Sequence, residues 1–272
     1  MPFATAGGHR LHYELVGPAT EAAPTMVLLH HALGCVETWG DFPARLVEAT
    51  GLGALVYSRW GHGRSDPIPP APRDPDYFDY EAWTVLPELL AAAGVREAIL
   101  VGHSDGGTIA IFHAARPHPA PVRGLVTMAA HIFYDAYSME GMRKGRADWL
   151  SGALPAALKR HHGDRTEGMY RSWSERWLNP AAIGWNAEHL LPAITCPALI
   201  IQGSEDGFGV PEQVQAIARG LSGPAEGMLM EGVGHEPYRE VPERTIAAMA
   251  AFVGRCCAAP SAATSGDRSH QP

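Results

Sequence analysis

The amino-acid sequence predicts an α/β fold: a mostly parallel, twisted sheet with helices on both faces and one helical insertion. Three observations carry this expectation. Short, continuous apolar runs recur along the chain, as strands buried on both faces require. Stretches with apolar residues at helical spacing alternate with those runs. The alternation breaks once, over residues 132–191, where no strand pattern is found.

In chain order, Phe3–Ala6 and Arg10–Val16 flank Gly7-Gly8, the pattern of a hairpin with a glycine turn. Thr25–His30 is the first buried run, repeated at Ala54–Ser58, Ala98–Gly102, Gly124–Met128 and Ala198–Gln202, with a last strand at Gly227–Met230. Helical spacing marks Trp39–Ala49, Tyr80–Ala93 and Thr108–Ala115. It also marks Pro211–Leu221 and Pro242–Val253, each opening on a proline suited to a first helical turn.

The segment 132–191 holds Trp149, Trp173, Trp177 and Trp185, and its basic and acidic residues nearly balance. It reads as a helical cap on a core formed by residues 1–131 and 192–255; a small separate domain is the alternative. From Cys256 the composition turns Ala-, Ser- and Pro-rich, which predicts a disordered tail over 256–272.

Length and composition narrow the function. The 272 residues suit one large α/β domain with an insertion. A net charge of −8 argues against a nucleic-acid partner. No apolar stretch approaches a membrane span, and the N-terminus lacks the pattern of a secretory signal. Cys35, Cys196, Cys256 and Cys257 form neither a disulfide framework nor a metal motif, so reduced thiols in a cytoplasmic protein are expected.

The chemistry centres on Gly102-His103-Ser104-Asp105-Gly106-Gly107, a G-x-S-x-G pattern between a strand and a helix. A serine on such a sharp turn projects its hydroxyl above the sheet. Glycines on either side let strand and helix approach. The helix N-terminus leaves N–H groups free to meet developing negative charge.

A serine hydroxyl needs an adjacent base. For this kind of turn the partners follow in the order acid, then histidine. Asp206 follows the strand Ala198–Gln202, and His235 follows the last strand, both on loops at C-terminal strand ends where α/β sheets bind ligands. Glu205 and Asp135 are rival acids. Two backbone donors would hold an oxyanion: Asp105, next to the serine, and Ala32, in the loop His30-His31-Ala32-Leu33-Gly34. Losing such a donor typically costs about 3–4 kcal/mol of transition-state stabilisation.

With these motifs in view, the chain before its tail resembles the α/β-hydrolase superfamily. Tyr57–Ser65 is similar to that family's loop after the fourth strand, and Cys196–Gly203 with Asp206 and Gly234-His235-Glu236-Pro237 are similar to its acid and base segments. A closer resemblance is to the valacyclovir-hydrolase (biphenyl-hydrolase-like) group. It rests on Ser104–Gly107, on Ser138–Arg143 with Trp149, and on Cys196–Ile200. It implies an esterase for amino-acid esters, with Asp105 meeting the substrate's α-amino group. The chain departs from that group at His103, where the group carries tryptophan, and at His30-His31.

Read from the residues alone, Asp105 is either a pocket carboxylate or a helix N-terminal charge favoured by the dipole. His31, Trp149 and Trp177 are further candidates for substrate contact, although the tryptophans suit a packing core equally well. Arg143, Lys144, Arg146, Lys159 and Arg160 either attract an anionic substrate or form a solvated face. Neither His30-His31 nor His161-His162 has metal-site spacing, and no metal or cofactor is expected.

The expected activity is hydrolysis of a small carboxylic ester through Ser104, His235 and Asp206. Lactone, thioester or C–C bond cleavage by the same residues, and a receptor that retains the fold, stay open.

Overall fold

The computed structural model describes residues 2–18 and 23–258. It contains one eight-stranded sheet in the order β1-β2-β4-β3-β5-β6-β7-β8. The strands are β1 (Phe3–Ala6), β2 (His9–Val16), β3 (Thr25–Leu29), β4 (Ala54–Tyr57), β5 (Ala98–His103), β6 (Val122–Met128), β7 (Ala198–Gly203) and β8 (Ala225–Met230). β1, β2 and β4 pair antiparallel, and every other pair is parallel.

The inner parallel strands are largely apolar because both of their faces are covered, whereas the edge strand β8 is mostly exposed. Alternate residues feed two cores. Val27, Leu29, Leu55 and Leu100 face one. Met26, Leu28, Val56 and Val101 face the other. Helices α3 (Leu86–Ala92), α4 (Asp105–Ala114) and α8 (Glu212–Gly220) pack into the first core through Leu89, Ile109 and Ile217. Helices α1 (Phe42–Thr50) and α10 (Pro242–Ala258), the latter following the short α9 (Pro237–Glu240), close the second through Leu46 and Phe252.

Several boundaries move from those the spacing predicts. A short 3-10 turn, Val36–Trp39, precedes α1, which opens at Phe42 with Pro43 in its first turn. The expected helix over Tyr80–Ala93 is a short α2 (Tyr77–Tyr80), a π turn at Glu81–Val85 and then α3. α4 begins at Asp105 rather than Thr108, because its two glycines are held by tertiary packing that outweighs their low helix propensity. α10 continues through Cys256 and Cys257 to Ala258, past the point where composition places the tail, because Cys256 is buried in the second core. The rest of that expected tail lies outside the described residues.

Between β6 and β7 the chain forms α5 (Ala136–Leu150), α6 (Ala153–His162) and α7 (Thr166–Trp177). Its anchors are largely side chains bonded to core main chain. Arg165 Nη1 donates to the Gly63 and Ser65 carbonyls at 2.7 and 2.6 Å. His162 accepts from the Gly63 N–H at 2.9 Å and donates from Nε2 to the Leu33 carbonyl at 3.0 Å.

Backbone segments approach closely at α4. A Cβ added to Gly106 would run into the Leu29 carbonyl, and one added to Gly102 into Gly106 and Gly107. Gly106→Ala is therefore expected to cost about 1–3 kcal/mol through overpacking. By contrast, Gly145→Ala, in α5 with open space around it, should be neutral or stabilising by about 0.5–1 kcal/mol. Thermal unfolding of the two variants measures the opposed signs.

Candidate active site

Ser104 stands between the end of β5 and the start of α4 with φ at +52°. A non-glycine residue in that region is strained, typically by about 1–3 kcal/mol. The only other non-glycine residue with positive φ among the described residues is Ala129, at the end of the neighbouring strand β6. Both lie at the carboxyl ends of central strands, where α/β sheets bind ligands.

A cavity of about 340 Å³ opens above these ends. Ser104, Asp105, His235, Ala32, His31 and Trp177 all line it, so six of the positions singled out from the sequence come together. Asp206 sits behind His235. Its Oδ1 accepts from His235 Nδ1 at 2.8 Å, from the Phe208 N–H at 2.8 Å and from the Gly209 N–H at 3.3 Å. Its own main-chain carbonyl accepts from Tyr137 Oη of α5 at 2.8 Å.

The rival acids are elsewhere. Glu205 is exposed, and Asp135 caps α5 by accepting from the Ser138 N–H at 2.8 Å. Trp149 is a correction: it does not line the cavity but stacks on Tyr170, with ring centroids 3.7 Å apart. Ser138 and Met142 face the cavity from the start of α5, and Trp149 lies two helical turns, roughly 10 Å, further along. Trp173 of α7 lines the cavity beside Trp177. The basic residues Arg143, Lys144, Arg146, Lys159 and Arg160 are exposed and do not border the cavity.

Residues not foreseen complete the walls. His131 follows β6, and its Nε2 donates to the Phe208 carbonyl at 2.9 Å. Its place after a strand's carboxyl end was a readable signal. Phe78 and Phe208 add apolar surface. Tyr77 and Arg59 buttress Asp105 from outside the cavity: Tyr77 Oη donates to Asp105 Oδ2 at 3.0 Å, and Arg59 Nη1 lies 3.6 Å from the same oxygen. Among the described residues no three His, Cys, Asp or Glu side chains converge as metal ligands.

The electrostatics follow from burial and pairing. Burial works to lower the pKa of His235, but the carboxylates around it, Asp206 foremost and then Glu236 and Asp105, together outweigh it and hold the imidazole above the ordinary histidine value. Burial works to raise Asp206, but His235 and the donors around its carboxylate hold it below the ordinary value. His103 is pushed down to about 3, first by burial and then by His235 beside it, and it donates to the His235 carbonyl at 2.8 Å. It is a neutral prop for the loop that carries His235.

The Alpha/beta hydrolase family profile matches residues 26–248. The chain belongs to that family. This α/β hydrolase is 28% identical over 206 residues to the human protein named serine hydrolase BPHL, a match covering 73% of this chain and 68% of the relative. It is 30% identical over 187 residues to a proline iminopeptidase of Lactobacillus acidophilus, covering 67% and 60% respectively. Its fold superposes on the enol-lactonase of Burkholderia xenovorans LB400 with a TM-score of 0.72 at 20% identity, covering 93% of this chain and all of that one. Among the described residues no helix is long and apolar enough to cross a membrane.

Because the folded pKa of His235 is raised, its pairing contributes stability that is full below about 6.5, the ordinary histidine value, and is lost as pH rises through the folded value. For Asp206, whose pKa is depressed, the contribution is present above the ordinary carboxylate range and is lost as pH falls through its folded value. An NMR titration should find the His235 ring titrating above about 6.5, and Asp206→Asn should bring that midpoint down. An unmoved midpoint in the variant would mean that the carboxylate is not what raises it.

Proposed function

We propose that this α/β hydrolase cleaves small carboxylic esters, with Ser104 as nucleophile, His235 as general base and Asp206 as the group that orients His235. One observation carries the reading. His235 Nδ1 donates to a buried Asp206 at 2.8 Å, which leaves Nε2 of a cavity-lining imidazole as a proton acceptor. Ser104 lines the same cavity on a strained turn.

In this mechanism Ser104 Oγ attacks the ester carbonyl while His235 Nε2 takes its proton. The Ala32 and Asp105 amides hold the oxyanion. The Ala32 N–H donates to no group among the described residues, and the Asp105 N–H, in the first turn of α4, has no intrahelical acceptor. His235 then protonates the departing alcohol, and water releases the acyl group by the same steps in reverse.

The walls limit the substrate. A cavity of about 340 Å³ with Phe78, Met142, Trp173, Trp177 and Phe208 around it suits a small apolar or aromatic group. The Asp105 carboxylate already meets Tyr77 and Arg59, which favours a neutral acyl group over the α-amino ester implied by the family resemblance. Asp105→Asn should then change the turnover of an α-amino ester and its desamino analogue by the same factor; a loss confined to the amino ester would establish ammonium recognition instead.

Fluorophosphonate labelling tests the nucleophile. The wild type should label and Ser104→Ala should not, and an unlabelled wild type sinks the proposal. Asp206→Asn should lower kcat by about 10⁴-fold, by analogy with other triads. Since His235 must be neutral to act as base, the acid limb of kcat/KM should lie above about 6.5. A panel of esters, lactones, thioesters and C–C bond substrates separates the bond classes.

A further inference from the structure

We propose that Arg59 is a positioning residue of the oxyanion site, holding the peptide that carries one donor and offsetting the carboxylate beside the other. The proposal rests on the reading of Ser104 as nucleophile. It concerns a side chain that the sequence motifs leave without a role.

Arg59 is among the most deeply buried side chains in the protein, with 1% of its surface exposed. Its Nη2 donates to the His31 carbonyl at 3.0 Å. Its own backbone N–H donates to His30 Nε2 at 3.0 Å, which leaves the His30 proton on Nδ1. That Nδ1 donates to the same His31 carbonyl at 2.7 Å. The Gly34 N–H also donates to it at 3.0 Å, so three donors, of which only Arg59 is cationic, converge on one oxygen.

The His31 carbonyl and the Ala32 N–H belong to a single planar peptide. Pinning the oxygen fixes the direction of the N–H at the opposite edge. Donors on the carbonyl also polarise the amide, which strengthens the N–H as a donor.

The second function is electrostatic. Asp105 supplies the other oxyanion amide, and its side chain brings a negative charge close to where another negative charge would develop. Unopposed, that carboxylate would raise the barrier, because like charges in a site of low effective dielectric repel strongly. Arg59 Nη1, 3.6 Å from Asp105 Oδ2, supplies the opposing charge. For stability alone the arrangement is poor. Nε and Nη1 of Arg59 are buried without a hydrogen-bond acceptor among the described residues, and burying a cation so incompletely paired is costly.

The experiment is a double-mutant cycle on the full chain with Arg59→Met and Asp105→Asn. The readouts are kcat and KM on p-nitrophenyl butyrate and the inhibition constant of phenylboronic acid, a mimic of the tetrahedral adduct. Arg59→Met should lower kcat by about 10²–10³-fold, the scale of losing one oxyanion donor, with KM changed by less than about threefold. Boronate affinity should fall with kcat. In the Asp105→Asn background the loss should shrink by about tenfold, because there is no charge left to offset.

Arg59→Lys keeps the charge without the fork and should recover part of the activity. If Arg59→Met does not fold, the same cycle is read with Lys, where a smaller loss of kcat and of boronate affinity is expected. A kcat within about threefold of wild type, or a lower kcat with boronate affinity unchanged, overturns the proposal. A wild type that neither turns over esters nor labels with fluorophosphonate overturns the underlying reading instead.

Discussion

The close approach of α4 to β3 and β5 is the constraint on which the rest of the site depends. Gly106 has no room for a side chain against the Leu29 carbonyl, and Gly102 has none against α4 itself. Only with those contacts can Ser104 occupy its positive-φ turn while the first amides of α4 point out of the sheet. The same approach brings the Ser104 turn next to the loop after β3, so that Ala32 and Asp105 border one cavity. Local strain at a single residue is held by packing on both sides of it.

Around that turn, charges and protons are arranged in pairs. Asp206 faces His235, Arg59 lies beside Asp105, and Arg73 meets the buried Glu81 at 3.5 Å. Several buried histidines serve as neutral hydrogen-bonding spacers: His30, His103 and His162 each bond to main chain, and burial lowers the pKa of each. His235 differs from them because it faces a carboxylate, and its pKa is raised instead of lowered. What sets one histidine apart from its neighbours is the partner and not the residue type.

Much of this was legible in the residues. The inner parallel strands were readable because burial on both faces leaves them largely apolar runs, and the order of Ser104, Asp206 and His235 along the chain pointed to the loops that converge. Other features needed three dimensions. Trp149 and Trp173 look alike in sequence, but only knowledge of which turns of α5 and α7 overlie the cavity tells a packing ring from a lining one. The choice of Asp206 over its neighbour Glu205 depends on which side chain turns inward after β7. The role argued for Arg59 depends on a bond to a carbonyl, and main-chain acceptors leave no trace in residue identity.

That last point extends to the helices inserted between β6 and β7. Arg165 and His162 grip main-chain atoms of residues 33, 63 and 65 rather than side chains. At Leu33 and Ser65 the carbonyl that is held persists whatever side chain the position bears. The aromatic lining of the roof can therefore be exchanged for another while its moorings stay intact. A fold fastened in this way is free to drift toward new substrates without first having to reinvent its attachment.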